Sequence, residues 1–72
     1  MPLEARYANC INVGFNDVEL VLDFGQQYEG GEPLYHTRIV TNPVYVPGFL
    51  DVLAGALAEY RAARGEDGGG NA

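Results

Sequence analysis

Lysine and tryptophan are absent from this chain, and cysteine and histidine occur once each, as Cys10 and His36. One cysteine excludes an intrachain disulfide. One cysteine with one histidine excludes a zinc site of the usual Cys/His kind within a single chain. The cations are four arginines, Arg6, Arg38, Arg61 and Arg64, against ten carboxylates, for a net charge of −6. Neutralising several phosphates takes a cluster of basic side chains, so nucleic acid is an unlikely partner, and a bare anionic membrane surface is disfavoured for the same reason. No apolar run approaches the roughly 20 residues that span a bilayer. The start, Met-Pro-Leu-Glu-Ala-Arg-Tyr, lacks a basic stretch followed by an apolar one, so no secretory signal is expected. A lone cysteine without such a signal fits a reducing cytoplasm.

What is present is a short chain rich in strand pattern. Seventy-two residues allow one domain. A chain of this size buries only about 60% of its unfolded surface. Small domains usually add disulfides, a metal or oligomerisation. With the first two poorly supplied, a homodimer is expected.

The clearest segment is Val18-Glu-Leu-Val-Leu-Asp-Phe-Gly25. It alternates, with Leu20, Leu22 and Phe24 on one face and Glu19, Val21 and Asp23 on the other. Before it, Tyr7 to Phe15 also alternates. Tyr7, Asn9, Ile11, Val13 and Phe15 share one face, and the smaller Ala8, Cys10, Asn12 and Gly14 share the other. Asn16-Asp17 between them suits a two-residue hairpin. That turn sets Phe15 beside Val18, Val13 beside Leu20, Ile11 beside Leu22 and Asn9 beside Phe24.

Gln27 to Pro33 reads as a loop, with Gly30-Gly31 giving backbone freedom. Leu34 to Thr41 is a third strand, with Tyr35, Thr37, Ile39 and Thr41 as its core face. Thr41 or Asn42 is placed to cap a turn that starts at Pro43. Pro47 disfavours helical geometry at Val46, so the pattern predicts a short helical turn at 43–46 and a main helix from near Pro47 to about Arg64. Phe49, Leu50, Val52, Leu53, Ala56, Leu57 and Tyr60 give that helix its apolar spacing, and Gly65 is its natural stop. Gly55 sits mid-helix at about 1 kcal/mol relative to Ala, which suggests close approach of another backbone, from the sheet or a symmetry mate.

The expected fold class is α+β, a three-stranded antiparallel meander followed by one C-terminal helix laid across it (β-β-β-α), as a dimer. Residues 1–6 form a flexible lead, 7–65 the domain and 66–72 a disordered acidic, glycine-rich tail.

Tyr7-Ala-Asn9, Glu19-Leu-Val-Leu-Asp-Phe24, Thr37-Arg-Ile-Val-Thr41 with Pro43, and a helix closing on Tyr60 and Gly65 carry a resemblance in their order and spacing. Over about residues 7–65 the chain resembles DUF3467, a domain of unknown function found in small bacterial proteins. The chain departs from the pattern at Pro47, where members usually continue the helix. The resemblance implies the fold and no established activity.

Asp23 and Arg38 would meet on adjacent strands as an exposed ion pair that fixes register. His36 would share a face with Arg38, and it has no nearby nucleophile for covalent catalysis. Cys10 has no basic cluster to activate its thiol. Gly25, Gly30 and Gly31 do not make a phosphate loop. No cofactor is implied. Five tyrosines are many for this length, and tyrosine is enriched at interfaces. The candidate interface residues are Tyr35, Tyr45, Phe49, Gly55 and Tyr60. These features suggest a non-enzymatic, homo-oligomeric interaction module or accessory subunit with an unidentified protein partner. The alternative is a small nucleic-acid-associated regulator, against which the charge speaks.

Overall fold

The computed structural model describes residues 2–65. Three strands, β1 (Cys10–Phe15), β2 (Leu20–Gln26) and β3 (Leu34–Thr41), form one antiparallel sheet in the order β1-β2-β3. A short 3-10 turn, Pro43–Tyr45, leads straight into the helix α1, Val46–Ala63. This is the α+β meander-then-helix order expected. Residues 2–8 hold no strand or helix. Met1 and the proposed tail at 66–72 lie outside the described residues.

The β1–β2 register differs from the expected one by two residues. Phe15 pairs with Leu20, Val13 with Leu22 and Ile11 with Phe24. The cause is Asn16. Its side-chain Oδ1 accepts from the amides of Val18 (2.9 Å) and Glu19 (2.8 Å), while its own amide donates to the Glu19 carbonyl at 3.0 Å. Asparagine that satisfies two amides at once draws Val18 and Glu19 into the turn. A two-residue slip preserves the faces, because side chains alternate with period two. Ile11, Val13, Phe15, Leu20, Leu22 and Phe24 still line one side.

Beyond the N-terminal end of β1 the ladder continues by other means. The Asn9 amide donates to the Gly25 carbonyl at 2.9 Å. Its side chain accepts from the Gln27 amide at 2.8 Å and donates to the Gln27 carbonyl at 3.1 Å. A side-chain amide thus imitates one more strand residue.

Between β2 and β3 the register slips at Phe24/Gly25. Thr37 faces Phe24, and the next pair is Tyr35 with Gly25, leaving His36 without a cross-strand partner. Tyr35 therefore comes opposite the strand position that shares Asp23's face. It does not continue the Thr37, Ile39, Thr41 row. The bulge also explains Gly25. A Cβ there would lie 2.3 Å from the Leu34 carbonyl oxygen, so only glycine admits β3 at that distance. Gly25 is the one buried residue among those described.

The connection after β3 follows the sequence except at Val46, which is helical at φ −63° and ψ −41° and opens α1 despite the proline after it. Asn42 caps the 3-10 turn, its Oδ1 accepting from the Val44 amide at 2.9 Å, with Pro43 in the first turn. Pro47 falls in the first turn of α1, where an amide has no intrahelical acceptor to lose. Gly65 stops the helix at φ 82°, its amide on the Ala62 carbonyl at 3.0 Å.

The helix is not laid across the sheet. None of its residues is buried, and its one substantial neighbour is the 3-10 turn before it. The radius of gyration is 15.3 Å, against about 11 Å for a compact chain of this length. The accessible surface is 6137 Å², against roughly 4,400 Å² for a folded chain of this mass. Among the described residues no hydrophobic side chain is buried. The expected sheet–helix core is absent within one protomer, because the hydrogen-bonded joint at 42–46 carries α1 away from its own sheet.

Candidate functional site

The two faces of the sheet differ in kind. One carries Ile11, Val13, Phe15, Leu20, Leu22, Phe24 and Ile39, with Thr37 and Thr41, and no charged residue. Phe15 is 81% exposed and Val13 50%. The other face carries Asn12, Val21, Asp23, Arg38 and Val40 around the small Cys10, Gly14 and Gly25.

On this second face the expected ion pair forms, and it is bidentate. Arg38 Nε donates to Asp23 Oδ1 at 2.7 Å, and Nη2 donates to Oδ2 at 2.9 Å. The two residues are direct cross-strand partners. The hydrogen bond from Arg38, with its charge, holds the Asp23 carboxyl below its ordinary pKa, despite some desolvation. The same bond raises Arg38. Tyr35, His36 and Thr37 join the pair around an open hollow. The Nε and Nη2 edge of the guanidinium is taken up by Asp23, so the pair pins register.

His36 is engaged at both ring nitrogens. Nε2 lies 2.9 Å from the Tyr7 carbonyl oxygen and Nδ1 lies 2.7 Å from Thr37 Oγ1. A carbonyl only accepts, so Nε2 donates to it; the neutral ring then accepts from the Thr37 hydroxyl at Nδ1. The imidazole ties the segment before β1 to β3, and it lines the same hollow as Arg38 although the bulge leaves it without a cross-strand partner. Cys10 is half-buried and pairs with Gly25. Among the described residues, no three His, Cys, Asp or Glu side chains gather as metal ligands would. No helix there is long and apolar enough to cross a membrane.

The helix exposes a second apolar surface. Phe49, Leu53, Ala56, Leu57 and Tyr60 recur at three- and four-residue steps along one arc. Phe49 and Leu57 are about half exposed and Leu53 two-thirds. Tyr60 lies under the Arg64 guanidinium, 5.5 Å from ring centre to carbon. Asp51, Gly55, Ala58 and Ala62 fall on the opposite side of the helix. A Cβ at Gly55 would meet nothing within 4 Å, so its own sheet does not approach it.

The five candidate interface residues do not form one patch. Phe49 and Tyr60 share the helix arc, Tyr45 closes the 3-10 turn and Tyr35 sits on the charged side of the sheet, all exposed. The larger surface is one the sequence pattern assigns to an internal core, the row from Ile11 to Ile39. The available signal is the pair Pro43 and Pro47, which marks the joint that leads α1 off the sheet.

The family described as protein of unknown function (DUF3467) matches residues 3–66, and the chain belongs to it. No curated protein and no solved structure matches the chain.

Proposed function

We propose that this member of the DUF3467 family is a non-enzymatic, homo-oligomeric interaction module, an accessory subunit of the cytoplasm that acts by binding protein. One observation carries this: a regular sheet and a regular helix each present an apolar face with no cover from their own chain. Ordering a residue costs about 1–2 kcal/mol in backbone entropy, and burial is the main term that offsets it. A fold with this much ordered backbone and no buried apolar side chain among its described residues gains that burial from outside.

The remaining chemistry is consistent with binding. His36 has both nitrogens committed, Asp23 is held by Arg38, and the hollow beside them is open to solvent. The nucleic-acid alternative finds less support. Arg6 pairs with Glu4 at 2.9 Å, Arg38 with Asp23, and Arg64 lies on Tyr60. Sedimentation velocity at micromolar concentration tests the proposal. A mass of two or more chains is expected; a stable monomer overturns it.

A further inference from the structure

We propose that the oligomer is a reciprocal exchange dimer, in which α1 of each copy lies on the uncharged sheet face of the other. This rests on the homo-oligomer proposed above and adds which surface meets which.

The joint between β3 and α1 carries the helix away from its own sheet. The Asn42 side chain accepts from the Val44 amide, the Asn42 carbonyl accepts from the Tyr45 amide at 3.0 Å, and the Val46 amide donates to the Pro43 carbonyl. Pro43 and Pro47 fix their own φ on either side. The joint is thus hydrogen-bonded throughout and runs without a break into α1. A second copy supplies the same sheet with the joint as it stands, and the exchange is mutual and closed.

Size and charge agree with this pairing. Eighteen helical residues span about 27 Å, and the eight of β3 span about 26 Å. The helix therefore covers the sheet from end to end. The strand residues on the sheet face that carries Val13 and Leu22 include no ionised side chain, and Glu4 and Arg6, paired with each other, lie at its Phe24 and Thr37 end. The matching arc around Phe49, Leu53 and Leu57 leaves Asp51 and Glu59 outside it. The pairing joins these apolar centres and leaves the Glu4–Arg6 pair and Arg64, over Tyr60, at the rim.

The test is isotope-filtered NOE spectroscopy on an equal mixture of methyl-labelled and unlabelled full-length chain, after sedimentation of the same sample. The expected result is a dimer with intermolecular NOEs joining Leu53 or Leu57 of one copy to Val13 or Leu22 of the other. A dimer whose intermolecular NOEs run only between sheets, or only between helices, overturns the exchange and leaves the homo-oligomer standing. A monomer overturns both, whether α1 then lies on its own sheet or both faces await a foreign protein. As a second readout, Leu57→Asp is expected to weaken self-association by about tenfold or more. Unchanged association of that variant refutes a helix–sheet contact.

Discussion

The sheet and the helix are ordered by different means. The sheet is stitched by particular side chains: Asn16 in the hairpin, Asn9 on Gln27, Arg38 on Asp23, His36 between Thr37 and Tyr7. Remove one and a named bond is lost. The helix has almost none of this. It is held by its backbone ladder, a capped entry and a glycine stop, and no tertiary contact buries any of its residues. The sheet lacks cover and has specificity. The helix lacks specificity and has a broad apolar arc. Each possesses what the other needs, and the two do not meet within one chain.

The largest expected effect falls on the sheet. Gly25→Ala would drive a Cβ into the Leu34 backbone, and backbone has no rotamer by which to yield. A loss of about 3 kcal/mol is expected by urea denaturation. Gly14→Ala, with nothing within 4 Å of the new Cβ, is the control and is expected to stay within about 1 kcal/mol.

Next come the two apolar faces. Leu22→Ala on the sheet and Leu57→Ala on the helix are each expected to cost about 2–3 kcal/mol per chain, with melting temperatures that rise with protein concentration. In an uncovered helix Leu57→Ala would stay within about 0.5 kcal/mol. Equal losses at the two sites would tie sheet and helix into one interface; a loss at Leu22 alone would separate them.

Gly55→Ala should act in the opposite direction. With open space around the glycine, it is expected to stabilise by up to about 1 kcal/mol in thermal melts. A loss instead would place a second backbone against that side of α1.

The smallest effect concerns the ion pair. Asp23 is lowered in the folded state, first by its hydrogen bond to Arg38. Its contribution is therefore fully present above the unfolded carboxyl pKa and fades as pH falls through the folded one. Comparing urea midpoints at neutral and acidic pH should show that fall in the parent chain, and a shallower one in Asp23→Asn.

Most of the fold was legible. Period-two alternation placed three strands, and Pro43, Pro47 and Gly65 marked where the helix begins and ends, because these residue types act through their own backbone geometry. The Asp23–Arg38 pair was legible for a related reason: opposite charges on adjacent strands settle register. The hairpin was misjudged by two residues because Asn16 serves two amides through its side chain, and turn length depends on that bond. The slip left the faces unaltered, since parity survives a shift of two. The bulge at Phe24/Gly25 is a relation between β2 and β3 with no local signature, so it moved Tyr35 off its expected row. Nor did tyrosine content locate a patch; Tyr35, Tyr45 and Tyr60 stand on three separate elements.

The amino-acid sequence by itself determined which elements exist, which side of each is apolar, and that the chain is too acidic and too short of cysteine and histidine for several kinds of site. Those properties reside in single residues and their nearest neighbours. Whether the apolar sides meet was decided by the tertiary structure, in the direction set by a five-residue joint between Asn42 and Val46. Direction is a property of the assembled backbone, and no hydrophobic pattern encodes it.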